Sequence, residues 1–234
     1  MPVSWSAAAD SWSSLNLPPN STGSSVLKSA RRFVPVWWAE PVHSESDTPN
    51  GERPRDSDET RREGRIRAYG WSTDEPELAA AWVGQQGFGG LEFEINVVHD
   101  SPAIVDICER NDVPGLARGP LGTGLLTGAH PEGSRITDEQ DFRRRSPDWL
   151  NYFQDGHPVP ELARALESVR HILTSEGRTV AQGALAWLWA RSPSLIPIPG
   201  AQTVAQVREN AGAMEKGPLS EAQMREIDDL LGVI

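Results

Sequence analysis

The sequence predicts an α/β chain built on a parallel sheet with crossover helices, and three features carry that expectation. From Gly64 onward, strand-like and helix-like segments alternate as four successive pairs, the pattern of a parallel sheet. A segment at 179–191 is apolar nearly all round (Val180, Ala184, Leu185, Trp187, Leu188, Trp189), so as a helix it must be buried between a sheet and other helices. Near the C-terminus, Ile196-Pro197-Ile198-Pro199 stops at Gly200 and opens directly into a helical stretch.

Taken in order, the spacing predicts a strand at 65–71 (RIRAYGW), a helix at 75–86 and a strand at 90–97 (GLEFEINV). A helix follows at 102–111, with Asp100 and Ser101 as its caps. A third strand at 113–117 leads into the glycine-rich turn Gly119-Pro120-Leu121-Gly122-Thr123-Gly124-Leu125-Leu126-Thr127-Gly128. Residues 129–158 are long, charged and aromatic, and read as a surface loop with short helices; loops of that length are usually functional or mobile. The helix at 160–176 places Leu162, Leu166, Val169, Ile172 and Leu173 on one face. After the apolar helix come a strand at 195–198, a helix at 204–214, and a last helix at 220–231 opened by Ser220 and closed before Gly232.

Residues 1–63 differ in texture. The stretch 44–63 (SESDTPNGERPRDSDETRRE) is too polar to bury the apolar surface that would offset its ordering entropy. It reads as a disordered tail, ahead of a structured region at 64–234. The apolar patch Phe33-Val34-Pro35-Val36-Trp37-Trp38 reads as a strand or a sticky loop, its prolines weakening the strand. Asn20-Ser21-Thr22 matches a glycosylation acceptor by accident.

A net charge of -11 over 234 residues disfavours nucleic acid and anionic membrane surfaces as partners and leaves a small-molecule binder as the default. Cys108 is the sole cysteine, so no intrachain disulfide forms; its setting in Ile104-Val105-Asp106-Ile107-Cys108 is a core-facing helix position. The first residues lack a basic stretch followed by an apolar run, and no apolar stretch is long enough to cross a bilayer. The expectation is a cytoplasmic protein. His99, His130, His157 and His171 show no metal-ligand spacing, and no metal is expected.

The strand-glycine-helix unit around Gly200 brings unsatisfied backbone N–H groups to one spot, which is how helix starts hold anions. A late unit of this kind in a barrel-type chain commonly binds phosphate. The alternative is an ordinary turn with no ligand.

Three segments then converge: Gly64-Arg65-Ile66-Arg67-Ala68-Tyr69-Gly70-Trp71-Ser72-Thr73, the run from Arg118 through Gly128, and the run from Ile196 through Asn210. In this order and spacing they resemble the C-terminal half of the aldo-keto reductases, NAD(P)H-dependent oxidoreductases that reduce carbonyls and aldehydes on a (β/α)8 TIM barrel. The resemblance covers about residues 64–234 and implies a partial barrel, strands five to eight with their helices. It implies that Ser72 and Thr73 stand where the family holds the nicotinamide carboxamide with Ser-Asn. Glu92 stands near a family Gln with the same task, although a carboxylate accepts without donating. Arg118 replaces an aromatic ring that stacks on nicotinamide; a guanidinium there stacks, pairs with phosphate, or is a plain surface charge. Gly119, Pro120, Leu121 and Gly124 lie where the family wraps the pyrophosphate. Gly200, Ala201, Gln202, Thr203, Gln206, Glu209 and Asn210 match the segment around the adenosine half. Gln206 replaces a basic residue that often clamps the 2′-phosphate, so the implied cofactor is NADP, with NAD also compatible.

In the family a tyrosine donates the proton, helped by a lysine, an aspartate and a histidine, all from the first half of the barrel. The chain has only two tyrosines, Tyr69 and Tyr152, and two lysines, Lys28 and Lys216, and no catalytic residue is assigned. Lys28 and His43 sit in no family motif. Val36-Trp37-Trp38-Ala39-Glu40-Pro41 resembles a family run after strand four, with Val36 in the histidine's place and the next helix replaced as a shifted reading frame or wrongly chosen start would do. Two functions therefore stand: an NAD(P)H-dependent oxidoreductase, or a non-catalytic truncated remnant that binds the nucleotide. Half a barrel exposes sheet edges, from which self-association is expected. An unrelated phosphate-binding enzyme using Glu92 and Glu94 is set aside on the expectation that strand alternation keeps the two from lining one site.

Overall fold

The protein is described from a computed structural model covering residues 55–232. The apolar patch at 33–38, the tail at 44–54, Lys28 and His43 lie outside the described residues. Residues 55–62, which composition groups with the tail, form helix α1 (Arg55–Arg62). Arg61 and Arg62 occupy its last turn, where cations favour the helix dipole.

Four strands form one sheet: β1 (Tyr69–Ser72), β2 (Phe88–Glu94), β3 (Gly115–Arg118) and β6 (Leu195–Pro197), in the order β1-β2-β3-β6. Strands β1 and β2 are parallel, Gly70 facing Gly90 and Ser72 facing Glu92. A Cβ on Gly70 would come within 2.7 Å of the Gly90 carbonyl oxygen, so glycine is required for the strands to meet. Leu91 donates to the Pro114 carbonyl and Ile95 to that of Arg118, four residues on in both segments, which is the even stagger of a parallel pair. Among the described residues the sheet does not close into a barrel.

The strands are shorter than the sequence predicts, for local reasons. Residues 63–65 are spent closing α1: Glu63 donates to Glu59, Gly64 to Arg61, and Arg65 to Thr60. Helix α2 (Pro76–Trp82) stops ahead of Gly84 and Gly87, whose φ values of 89° and 86° are left-handed. Strand β2 ends at Glu94 because Asn96 and His99 exchange backbone hydrogen bonds and the Asn96 side chain caps the N–H of Val98, an Asx turn that diverts the chain.

The chain divides into two compact units. The first comprises the described residues up to Phe93, Ser101–Leu116 and Ser194–Ile196. Here α2 packs on α3 (Pro102–Arg110), and Trp71 stacks on Trp82 at 4.8 Å. Leu91, Phe93, Ile104, Val105, Cys108 and Leu195 are buried. Gly115 is hemmed in by Phe93, Leu195 and Cys108, and burial pushes the Cys108 thiol up to about 12, which removes it as a nucleophile. Ser101 takes the N-cap position of α3.

The second unit comprises Glu94–Asp100, Ala117–Pro193 and the residues from Pro197 on. Asp100, expected to share the cap of α3, belongs to this unit and pairs there with Arg191 at 2.9 Å. Helix α6 (Val180–Arg191) is the unit's centre, packed by α5 (Pro160–Leu173), α7 (Val204–Lys216) and α8 (Glu221–Leu231). Eight of its residues are buried, as its all-round apolar character predicts. Thr179, Thr203 and Ser220 open α6, α7 and α8 with capping boxes closed by Gln182, Gln206 and Gln223. The 129–158 region holds a short helix α4 (Phe142–Arg145) and a two-stranded hairpin of β4 (Phe153–Gln154) and β5 (His157–Pro158). Its turn residues Asp155 and Gly156 both have positive φ, 51° and 80°, as a tight two-residue hairpin demands.

Candidate cofactor site

The expected site residues fall into two sets, one per unit. In the first unit Ser72, Thr73 and Glu92 meet at the ends of β1 and β2. The Ser72 hydroxyl donates to Glu92 Oε1 at 3.4 Å, and the Thr73 N–H donates to the Glu92 carbonyl at 2.9 Å. Thr73 Oγ1 is occupied, accepting from the N–H of Glu75 at 3.1 Å. Ser72 and Glu92 thus offer a hydroxyl and a carboxylate side by side, a pair able to accept from an amide NH2 and donate to its carbonyl.

Along β2, Leu91 and Phe93 are buried while Glu92 and Glu94 are half-buried. The two carboxylates therefore share a face, which corrects the sequence expectation: residues two apart in a strand point the same way. They are nonetheless committed differently. Glu94 accepts the hydroxyl hydrogen of Tyr152 in a very short bond and pairs with Arg118 Nη1 at 3.6 Å.

In the second unit the polar cluster around Glu94 extends through Asn96, which is fully buried. Its Nδ2 donates to the Tyr152 hydroxyl at 2.7 Å and to the Gly119 carbonyl at 3.0 Å. Burial first, then the bond to Glu94, push the Tyr152 phenol far above the ordinary tyrosine range. Arg118 is thus held by Glu94 on β2 and Gly119 by Asn96 just beyond it, and Tyr152 of the long loop bonds both of those groups. Pro120 and Leu121 are buried, and Gly124 is half-buried.

The glycine-rich turn is strongly bent. Gly119, Gly122, Gly124 and Gly128 have φ of 60°, 51°, 105° and 76°, and Thr123 joins them at 51°. Gly122 donates to the Gly119 carbonyl and Gly124 to that of Leu121, both at 2.9 Å. Strand β6 then runs beside β3, the Ile198 N–H donating to the Ala117 carbonyl at 3.2 Å. Gly119 and Gly200 each lie two residues beyond that bond, so the glycine-rich turn and the start of α7 emerge from adjacent strand ends.

At the start of α7, the N–H groups of Gln202 and Thr203 converge on one oxygen, Gln206 Oε1, at 2.7 and 3.1 Å. These two donors are taken by the amide oxygen of the α7 capping box, and a phosphate oxygen is chemically suited to the same donors. Gly200 has open space where a Cβ would stand. Residues 200–203 and Gln206 are exposed, whereas Glu209 and Asn210 are half-buried, and the Glu209 carbonyl accepts from Gln182 at 3.0 Å. The donor set fits a nicotinamide dinucleotide. Among the described residues no cluster of His, Cys, Asp or Glu has the makings of a metal centre.

Tyr152, Asn96 and Arg143 are not singled out by sequence reasoning. The available signal is the polar Asn96 within an otherwise apolar strand end. A hollow of about 450 Å³ over α5 is lined by His130, Glu132, Arg164, Glu167 and Arg170; none of the expected cofactor residues lines it.

A model of the Aldo/keto reductase family matches residues 48–231, beginning ahead of residue 64. The chain is 33% identical over 137 residues to the NADP(+) aldo-keto reductase yakc of Schizosaccharomyces pombe, covering 58% of this chain and 38% of that protein. Its fold matches glycerol dehydrogenase AKR11B4 from Gluconobacter oxydans (TM-score 0.65, 22% identity, 80% of this chain, 56% of that one). It also matches an aldo/keto reductase from Klebsiella pneumoniae solved with NADP and acetate (TM-score 0.54, 21% identity, 79% and 55%). The chain thus spans about half or less of the length of these relatives. With a parallel sheet and helices arranged as in these reductases, and the family model spanning most of its length, the chain belongs to the aldo/keto reductase family.

Proposed function

We propose that this chain carries the cofactor-binding segments of an NAD(P)H-dependent oxidoreductase of aldo-keto reductase type, acting on small carbonyl or aldehyde substrates. The observation that carries the proposal is the convergence of the Gln202 and Thr203 N–H groups on one oxygen at the end of β6, next in the sheet to the strand that feeds the glycine-rich turn. The reading gives the adenosine half to Gly200, Ala201, Gln202, Thr203, Gln206, Glu209 and Asn210, and the pyrophosphate to Gly119, Pro120, Leu121 and Gly124. It gives the nicotinamide carboxamide to Ser72, Thr73 and Glu92 of the first unit; Arg118 of the second is a further cofactor contact, by stacking or by pairing with phosphate. The bound nucleotide supplies a hydride to the carbonyl carbon. The chain's residues hold and orient it; Gln206 must leave its two N–H groups when a phosphate takes them. NADP is the proposed cofactor, as in the name of yakc. Gln206 brings no charge to a 2′-phosphate, so NAD is accepted too.

A second reading is that this segment binds nucleotide without reducing a carbonyl on its own, and Tyr152 favours it. A proton donor needs a phenol that releases its proton readily; Tyr152 is buried, donates to Glu94, and is shifted the other way. Tyr69 lies within β1. Strands β1 and β6 are the sheet's edges among the described residues, which adds the proposal that the chain self-associates. NADPH titration followed by fluorescence tests binding, NADH run beside it tests discrimination, and turnover of a simple aldehyde separates the two readings. Absence of binding by either nucleotide refutes both. Sedimentation giving a concentration-independent monomer refutes self-association.

A further inference from the structure

The 129–158 loop reaches the glycine-rich turn at two points, at its start through Asn96 and at its middle directly. At the start of the turn, Tyr152 holds Asn96, and Asn96 holds the Gly119 carbonyl. At its middle, Arg143 Nη1 donates to the Thr123 carbonyl at 3.2 Å. Thr123 is the one non-glycine residue of the turn in the left-handed region, at φ 51° and ψ 25°, a conformation that persists only when its surroundings impose it. The room for this contact is made by Gly124, where a Cβ would come within 2.8 Å of Arg143 Nη1.

Arg143 is itself fixed from several sides. Its Nε donates to Asp141 Oδ1 at 2.9 Å and its Nη2 to Oδ2 at 2.5 Å, a bidentate pair with both side chains 16% exposed. Its Nη1 also meets His130 Nε2 at 3.1 Å. The guanidinium lies 5.5 Å from the centre of the Phe153 ring, on the hairpin strand next to Tyr152.

We propose that residues 141–153 form a strap that holds the glycine-rich turn in its left-handed shape, with Arg143 the positioning residue and Asp141 its support. The inference rests on the reading that this turn cradles the cofactor pyrophosphate. A turn held in advance pays no ordering cost when the ligand arrives. Releasing it weakens a ligand that spans the turn and spares one that does not.

The test compares NADPH with adenosine 2′,5′-bisphosphate, which engages the adenosine end alone, on the full chain and on Arg143→Gln, Arg143→Lys and Asp141→Asn. In Arg143→Gln the dissociation constant for NADPH rises about five- to tenfold, the size expected for losing one imposed backbone conformation. The bisphosphate changes by less than about twofold, as for an independent site. Arg143→Lys, which can still donate to Thr123, recovers part of the loss. Asp141→Asn leaves the arginine in place but loosens it, and shows the same selective effect if Arg143→Gln is too unstable to assay. Equal weakening of both ligands, or no weakening of NADPH in either variant, overturns the strap. If the unaltered chain binds neither nucleotide, the cofactor reading fails by itself, and amide exchange of residues 119–128 decides on the strap. Faster exchange in Arg143→Gln sustains it, and unchanged exchange overturns it.

Discussion

Replacing Tyr152 by phenylalanine removes one hydroxyl and keeps the ring. The hydroxyl donates to the Glu94 carboxylate and accepts from Asn96 Nδ2 at 2.7 Å. A hydrogen bond to a charged acceptor contributes about 1.5–3 kcal/mol, and a buried donor left without a partner costs about 1–3 kcal/mol. Asn96 is fully buried, so its second N–H has nowhere else to go, whereas Glu94 keeps Arg118 at 3.6 Å. Allowing for the hydroxyl's own desolvation, the expected loss is about 2–4 kcal/mol. It is read as the shift in urea midpoint multiplied by the slope, at fixed protein concentration. A second signature is alkaline. The folded phenol sits above its unfolded value of about 10, so an unfolded chain gives up the proton first as pH rises. The hydroxyl's contribution is complete below about pH 10 and declines above it; Tyr152→Phe removes that share of the alkaline decline and leaves the share of Cys108, whose thiol burial also raises. A loss under about 0.5 kcal/mol, or the same alkaline decline in both proteins, refutes the polar cluster as described.

Gly183→Ala is expected to destabilise, against the usual gain of about 0.5–1 kcal/mol for removing a helix glycine. A Cβ there would stand 2.1 Å from the Leu173 carbonyl oxygen and 2.6 Å from its carbon, so α6 and α5 must part, at a net cost of at least about 1–3 kcal/mol; a higher urea midpoint refutes this. His130 gives an acid-side prediction. Burial, then Arg143, hold its imidazole below the ordinary range, with Asp141 opposing; Glu132, Arg164, Glu167 and Arg170 line the hollow it faces. An unfolded chain therefore protonates first, and the contribution is complete above about pH 6.5 and lost as pH falls from there toward the lowered value. The difference in urea midpoint between the unaltered protein and His130→Asn should shrink over that window, and a difference constant with pH refutes it.

The helices are the legible part of the fold. Helix α6 declares itself because eight buried positions leave no polar face, and the pairs Thr179/Gln182, Thr203/Gln206 and Ser220/Gln223 are capping boxes readable three residues apart. The strand ends are less legible, since what truncates them is specific to side chains and caps. Asn96 folds its amide onto the N–H of Val98 and stops β2 early, and Arg65 is consumed by the end of α1. Neither event has a periodic signature. The 129–158 region reads as a loop with short helices, and the Asp155-Gly156 dipeptide that makes its hairpin is a turn signal present in the sequence.

The backbone features of the proposed site are legible for a related reason. Glycines that turn left-handed and a cap that opens a helix are local instructions, so the turn at Gly119 and Gly124 and the helix start at Thr203 are marked by residue type alone. Tyr152, Asn96 and Arg143 are different in kind. Glu94 and Tyr152 are 58 residues apart, and Arg143 and Thr123 are 20 apart, and only the folded chain says which carbonyl or carboxylate each side chain finds. One clue is nevertheless present in the sequence and runs against the expectation drawn from it. Glu92 and Glu94 alternate with Leu91 and Phe93, which places both carboxylates on one face. A buried or half-buried carboxylate on a strand face calls for a donor from elsewhere in the chain. Arg, Lys, His, Ser, Thr, Asn, Gln, Trp, Tyr and backbone N–H groups all qualify as that donor, so the requirement is legible in the sequence while the choice of Arg118 for one oxygen and Tyr152 for the other is made by the fold.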